Sequence, residues 1–165
     1  MLLWYRHMAK PGRTIIAIIT TTDNQSDRAG RRLGPAPRST VQTAAERITY
    51  DRVNAGFDVA DVSALVGEGI LTSEEVHKVV PPRTLGRRKS RRERLTVQES
   101  DGIARLVRVA AQAARVFEDP ELRSAWLRSG NPALGGARPI DLAVTDIGAR
   151  RVETVLNRIA WGDYS

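Results

Sequence analysis

A long amphipathic helix constrains the fold of this chain more than any other feature. Between residues 97 and 118, apolar side chains recur in steps of three and four, at Ile103, Leu106, Ala110, Ala113 and Phe117. This spacing places them along one stripe of an α-helix. Thr96 lies directly before this run, and Glu99 lies three positions after Thr96. This spacing is the pattern of a capping box. The sequence therefore predicts a long helix whose apolar stripe packs into a core.

Shorter helical segments flank this run, and we expect an all-α fold. Upstream, helical signals cover residues 41–53, 57–66 and 73–80, and Thr72 with Glu75 predicts a second capping box. Downstream they cover residues 121–128, 139–143 and 147–160. Asp119 and Pro120 mark the start of one of these helices, and Gly162 marks the end of the last.

The first 40 residues differ from the rest in composition. They are rich in glycine, proline and polar side chains, so we predict a disordered tail. Residues 15–19 could form a short strand but have no evident hairpin partner. This apolar run is far shorter than the roughly 20 residues that span a bilayer. We find no signal peptide and expect no membrane association, and an alternative start at Met8 stays open.

The positive charge of the chain is concentrated in one segment. The formal net charge is +7, yet residues 96–165 contain equal numbers of basic and acidic side chains. Residues 83–94 hold seven basic side chains and one acidic side chain. Such a block attracts phosphate backbones or acidic partners. Arginine greatly outnumbers lysine in this chain. A GC-rich genome would produce this excess without any selection for arginine chemistry.

The basic block follows a short helix and a break at Pro81-Pro82. A short helix, a tight break and a second helix is the layout of a helix-turn-helix. We expect Arg87, Arg88, Arg91 and Arg92 to share one exposed face, because they lie at spacings of three and four. Arginine suits nucleic-acid contact, because its two-pronged guanidinium binds phosphate or guanine. The candidate DNA contacts are Arg83, Thr84, Arg87, Arg88, Lys89, Arg91 and Arg92. A solvated helix linking two domains stays open as the alternative.

The sequence lacks the usual constellations of catalytic residues. The absence of cysteine excludes disulfides, iron–sulfur clusters and thiol catalysis, and it fits a reducing compartment. The histidines are His7 and His77, and no serine lies in a Gly-x-Ser-x-Gly turn. Neither a Gly-x-Gly-x-x-Gly motif nor a phosphate-binding loop is present. We therefore predict a cytoplasmic protein with no cofactor, no metal site and no enzymatic activity.

The second half of the chain contains a long ordered set of motifs. It begins with Leu95-Thr96, Glu99 and Arg105-Leu106. It continues with Trp126-Leu127, Asn131-Pro132-Ala133-Leu134-Gly135-Gly136 and Arg138-Pro139, and then with Thr145, Gly148, Val152-Glu153, Leu156 and Gly162. This set resembles the toxin-binding domain of Xre/MbcA/ParS-type antitoxins. Residues 72–94 are similar to the Xre-like helix-turn-helix part of the same antitoxins.

The resemblance implies a type II antitoxin with three parts. These are a tail (residues 1–40), a helix-turn-helix domain for DNA binding and dimerisation (41–95) and a toxin-binding domain (96–165). The implied partner is a RES-domain toxin, encoded by the adjacent gene, that consumes NAD or transfers a group from it. In this family the antitoxin covers the toxin's NAD cleft. The implied assembly is a homodimer on operator DNA and a larger complex with the toxin.

The candidate toxin contacts are Trp126, Asn131, Leu134, Arg138, Trp161 and Tyr164. Aromatic and arginine side chains are favoured anchors at interfaces. Core packing stays open for both tryptophans, and a purely loop-shaping role stays open for Asn131. A stand-alone transcription regulator with a C-terminal oligomerisation domain is a second hypothesis. An RNA-binding protein is a third, although the basic half lacks an aromatic stacking surface.

Overall fold

The computed structural model describes residues 39–162, in which all regular secondary structure is helical. The helices are α1 (Thr40–Glu46), α2 (Tyr50–Ala55), α3 (Val59–Gly67), α4 (Ser73–Val79), α5 (Pro82–Arg91), α6 (Val97–Val116), α7 (Pro120–Arg128), α8 (Pro139–Leu142) and α9 (Asp146–Trp161), with a 3-10 turn at Pro132–Leu134. No strand occurs among these residues, and the predicted all-α class is confirmed. The predicted tail up to residue 38, including the possible strand at 15–19, lies outside the described residues. Thr40 already belongs to α1.

Helix α6 lies at the centre of this arrangement. Helices α1, α2 and α4 pack against it from the first half of the chain, and α7, α8 and α9 from the second. The predicted apolar stripe is buried, with Ile103 and Leu106 fully enclosed. Val107 and Val109 lie outside the stripe and are equally enclosed, because neighbouring helices cover α6 on more than one side. The sequence pattern therefore underestimated how much of α6 belongs to the core.

A buried hydrogen bond joins the start of α6 to the segment between α2 and α3. The backbone N–H of Phe57 donates to the Ser100 hydroxyl oxygen at 2.9 Å, and the Leu95 N–H donates to the Phe57 carbonyl at 2.9 Å. Gly56 has φ 78°, and a Cβ atom at this position would collide with the Leu95 carbonyl oxygen. Gly56 is the C-cap of α2, and close backbone packing explains the need for glycine there.

The helical signal over residues 41–53 proves to be two helices. Thr49 begins the second of them, because its hydroxyl oxygen accepts a hydrogen bond from the Arg52 N–H at 3.3 Å. Helix α3 starts at Val59, two residues later than predicted. The sequence pattern located the helical region correctly but not the break within it.

Both predicted capping boxes are present. The Thr72 hydroxyl accepts from the Glu75 N–H at 3.2 Å, while the Glu75 carboxylate accepts from the Thr72 N–H at 2.8 Å. Thr96 and Glu99 repeat the arrangement at 3.2 Å and 2.7 Å. Each pair satisfies two backbone donors at the start of a helix, so α4 and α6 begin where the sequence predicts.

The helices after α6 follow the prediction closely. Helix α7 begins at Pro120 behind Asp119, whose carboxylate accepts from the Glu121 N–H at 2.7 Å. Its C-cap is Ser129, which has an extended backbone conformation. Helix α9 ends at Gly162 with φ 68°, as predicted.

The predicted domain boundary at residues 95–96 falls between α5 and α6. Residues 39–162 belong to one compact unit, in which helices from both sides of the boundary meet on α6. The division into a helix-turn-helix domain and a toxin-binding domain stays a prediction.

Candidate functional site

Helix α5 carries the predicted DNA contacts. It begins directly after Pro81, with Pro82 at its first position, where a missing N–H breaks no helical hydrogen bond. Arg83, Arg87 and Arg91 follow one another at steps of four, so they share one face of the helix. The exposed basic side chains of this segment are Arg83, Arg87, Lys89, Arg91 and Arg92. Thr84 is half-buried.

Four of these exposed cations lack a side-chain partner among the described residues: Arg83, Arg87, Lys89 and Arg92. Arg91 lies 3.8 Å from Glu93, at the outer limit of an ion pair. The four unpaired charges lie within ten consecutive residues. They therefore form a concentrated positive surface that nothing described in this chain neutralises.

Arg88 does not belong to the exposed face, which corrects the prediction. Its side chain is only 12% exposed and points to the start of α6, where Nη2 lies 3.0 Å from the Glu99 carboxylate. Its Nη1 donates to the Arg94 carbonyl at 2.7 Å. Partial burial raises the pKa of Glu99, but hydrogen bonds from Thr96 and the charge of Arg88 hold the pKa below its ordinary value. Arg88 thus fastens α5 to the capping box of α6.

Arg92 ends α5 in a left-handed conformation, with φ 55° and ψ 35°. Among the described residues it is the one position outside glycine with a positive φ. A left-handed residue with a side chain costs about 1 kcal/mol relative to glycine. The chain therefore carries an exposed arginine at a position where backbone geometry favours glycine.

The loop between α7 and α8 is held together by Asn131. Its side-chain Oδ1 accepts from the Ala133 N–H at 2.9 Å, and its carbonyl accepts from the Gly136 N–H at 2.9 Å. Its own N–H donates to the Ala137 carbonyl at 3.1 Å. A Cβ atom on Gly130 would lie only 2.6 Å from the Gly136 carbonyl oxygen, which explains the glycine there. Asn131 is itself buried, so the loop-shaping role left open in the sequence is the one the structure displays.

Arg138 belongs to a closed ring of four charged side chains. Glu74 and Lys78 of α4 lie 3.2 Å apart, Lys78 lies 2.5 Å from Asp141, Asp141 lies 2.6 Å from Arg138, and Arg138 lies 3.4 Å from Glu74. The hydrogen bond and the charge of Lys78, followed by those of Arg138, lower the pKa of Glu74. Partial burial raises the pKa of Asp141, but hydrogen bonds from Lys78 and Arg138 outweigh it and lower the pKa overall. The ring joins α4 to α8 and to its N-cap, Arg138.

A partly buried ion pair lies beside this ring. The Glu75 side chain is 5% exposed, and its carboxylate accepts from Arg128 Nε at 2.8 Å and from Nη2 at 3.2 Å. In the sequence, Glu75 is recognisable only as a capping residue, and no pattern singles out Arg128. The two residues are 53 positions apart, and no local pattern could have indicated their contact.

The remaining predicted toxin contacts lie in different environments. Trp126 is 4% exposed and packs against Phe117, with ring centroids 5.5 Å apart, and Leu134 is also buried. Trp126 therefore packs in the core of the described residues, and its role in toxin binding stays a prediction. Trp161 is 86% exposed at the end of α9. Tyr164 lies outside the described residues.

Two further features bear on function. Residues 39–162 contain no cluster of three or more histidine or acidic side chains that could hold a metal ion. No helix within the same range is long and apolar enough to cross a membrane.

The second half of the chain matches a known domain family. A family model described as "Antitoxin Xre/MbcA/ParS C-terminal toxin-binding domain" matches residues 112–162. The matched region covers the end of α6 and all of α7, α8 and α9. It therefore includes the loop organised by Asn131 and the exposed Trp161.

Relatives among curated proteins extend this likeness to most of the chain. A protein named Antitoxin Xre from Pseudomonas putida is 31% identical over 121 residues, which are 73% of this chain and 76% of that protein. Another Antitoxin Xre, from Yersinia enterocolitica, is 30% identical over 134 residues, 79% and 86% of the two chains. A Sphingobium protein named Prs ADP-ribosylating antitoxin is 30% identical over 91 residues, 50% and 57% of the two chains. The chain belongs to the Xre/MbcA/ParS-type antitoxins.

Proposed function

We propose that this antitoxin neutralises a RES-domain toxin encoded by the adjacent gene and represses its own operon by binding promoter DNA. The observation that carries the first part is the match of residues 112–162 to a toxin-binding domain. Neutralisation is steric: the C-terminal helices cover the entrance to the toxin's NAD cleft. No group of this chain takes part in the chemistry of the toxin.

The loop before α8 and the end of α9 suit a blocking surface. Hydrogen bonds of Asn131 fix the loop, so binding costs little additional ordering entropy. Pro132, Ala133, Gly135 and Gly136 are exposed on the loop and present a small, smooth surface. Arg138 and Trp161 are the exposed members of the predicted contact set, whereas Trp126 and Leu134 support this surface from the core. Tyr164 stays a candidate contact.

Promoter binding is proposed for α5. Its unpaired cations Arg83, Arg87, Lys89 and Arg92 would neutralise phosphates, and an arginine entering the major groove would read guanine. A homodimer would place two such helices in successive major grooves, about 34 Å apart. Arg88 acts indirectly in this proposal, because it holds α5 against α6.

A stand-alone transcription regulator is the second candidate function. The charge of α5 favours it equally, since a regulator and an autorepressing antitoxin need the same DNA surface. The C-terminal helices would then mediate oligomerisation rather than toxin binding. The two functions differ in whether a toxin gene lies next to this one and whether its product binds this chain.

Co-expression with the neighbouring gene tests the proposed neutralisation. We expect the neighbouring product alone to arrest growth, and co-expression to restore growth and yield a complex that co-purifies. A toxic neighbouring product that neither binds this chain nor is relieved by it would rule out neutralisation.

The same strains also show what the toxin does. A fall in cellular NAD without protein modification indicates NAD degradation. ADP-ribose found on a protein by mass spectrometry indicates transfer, as the name of the Sphingobium relative suggests for its own system.

The left-handed Arg92 gives a prediction that separates stability from DNA binding. We expect Arg92→Gly to raise the free energy of unfolding by up to about 1 kcal/mol, because glycine adopts this conformation without strain. The same substitution should weaken promoter binding, because it removes one phosphate-binding charge per protomer. Urea unfolding and a fluorescence-anisotropy titration measure the two effects. Unchanged promoter affinity would remove Arg92 from the DNA surface.

A further inference from the structure

The outward face of α9 carries an unusual row of side chains. Ile147, Arg151, Thr154, Arg158 and Trp161 follow one another in alternating steps of four and three, and all five are exposed. Such steps keep residues on one face of a helix, and the row extends about 21 Å at 1.5 Å per residue. The buried residues Ala149, Val152 and Leu156 lie on the opposite face. We call these five residues the α9 stripe.

The two arginines of the α9 stripe have no partner within the described part of the chain. Helix α9 contains two acidic residues, and both are engaged elsewhere. Asp146 accepts from Arg150 at 2.9 Å, and Glu153 accepts from Arg108 of α6 at 2.7 Å. The side chains of Arg151 and Arg158 make no hydrogen bond or ion pair with any described residue. Their charges are therefore available to another molecule.

Each end of the α9 stripe carries an exposed apolar side chain. Trp161 is 86% exposed and Ile147 is 77% exposed. Among the large apolar residues described, only Tyr50, at 81%, is comparably exposed. Tryptophan and arginine are the side chains most often found as binding hot spots. A row of two apolar ends with positive charge between them matches a surface that is acidic in its middle and has an apolar pocket at each end.

We propose that the α9 stripe is the docking face for the toxin, and that it binds an acidic surface of that protein with Trp161 inserted in an apolar pocket. This inference rests on the proposed neutralising function and adds the chemistry of the partner surface. Its location supports a protein rather than a nucleic acid, because α9 lies wholly inside the matched toxin-binding domain, which ends one residue beyond Trp161. The concentrated positive surface of α5, in contrast, lies outside that match.

The test uses the full chain, the purified product of the adjacent gene and surface plasmon resonance. Arg151→Glu with Arg158→Glu should slow association at least about tenfold and reduce its dependence on salt, because charges at an interface mainly steer encounter. Trp161→Ala should speed dissociation about thirtyfold, as for a buried anchor. The matched control is Arg47→Glu with Arg123→Glu, which changes the net charge equally at two arginines that also lack side-chain partners. Circular dichroism checks that each variant folds.

The outcomes separate this inference from the proposed function. Absence of any complex with the unsubstituted chain would overturn both. A normal complex whose kinetics change no more in the α9 variants than in the control would overturn the α9 stripe alone. Loss of promoter affinity in Arg151→Glu with Arg158→Glu, with toxin binding intact, would show that the stripe is a second DNA surface and overturn its assignment to the toxin.

Discussion

Replacing Arg128 with methionine should lower the free energy of unfolding by about 3–5 kcal/mol, the cost of leaving a buried charge without its partner. Glu75 is buried between α4 and α7, and its carboxylate receives two hydrogen bonds from Arg128. Methionine has a similar length but cannot donate a hydrogen bond. Urea unfolding measures the effect. An unchanged m-value would show that the variant and the original chain expose the same surface on unfolding, so that only the stability differs.

Two further variants make this prediction specific. Arg123→Met alters the same helix at an arginine whose side chain has no partner among residues 39–162, so it should change stability by less than about 1 kcal/mol. Adding Glu75→Gln to Arg128→Met removes the unpaired charge while the glutamine can still accept from the Thr72 N–H. The double variant should therefore be more stable than Arg128→Met alone. Equal losses in Arg128→Met and Arg123→Met would contradict the importance of the pair.

The helix starts were predictable because their signals are local. The side chains of Thr72 and Glu75, and of Thr96 and Glu99, bond to the backbone within three residues. The central stripe of α6 was predictable for a similar reason, because burial follows helical spacing. What the pattern could not give was the number of helices that pack on α6, since that number depends on the tertiary arrangement.

The candidate sites were only partly predictable. The basic character of α5 and the loop Asn131 were visible in the sequence, but which way each arginine points was not. Arg88 lies between Arg87 and Lys89 in a uniformly basic run, and only its long-range contact with Glu99 distinguishes it. The ring that contains Arg138 joins residues more than 60 positions apart, which no local pattern encodes.

These long-range contacts share one structural consequence. Arg128 with Glu75, and Arg138 with Glu74, connect the proposed toxin-binding helices to α4, while Arg88 connects α5 to α6. The proposed DNA-binding and toxin-binding surfaces are thus parts of one packed unit. A substitution in a connecting pair should affect both functions through stability, whereas a substitution on either outer surface should affect one function only.

Helix α5 provides one of these outer surfaces. Replacing Arg83, Arg87 and Arg92 with alanine should lower promoter affinity at least about a hundredfold at physiological salt. Each lost phosphate contact should also reduce the slope of log affinity against log salt by about 0.9. The three side chains are exposed and unpaired, so the melting temperature should change little. Anisotropy titrations between 50 and 200 mM salt, a range in which phosphate-dependent binding falls steeply, would measure the slope.

Arg88→Ala should give the opposite result to the triple α5 variant, with lower stability and an unchanged salt slope. Comparing the two variants tests the proposed DNA surface most directly. Arg88 is held by Glu99 and the Arg94 carbonyl, so its loss should destabilise the chain while leaving the salt slope unchanged.

Arg47, Arg115 and Arg123, replaced together by alanine, provide a control with the same change in net charge outside α5. If this control flattened the slope as much as the α5 variant, binding would depend on overall charge rather than on α5. If Arg88→Ala reduced the slope by about 0.9, the change expected for one lost phosphate contact, Arg88 would turn outward on DNA, and its role in holding α5 against α6 would have to be withdrawn.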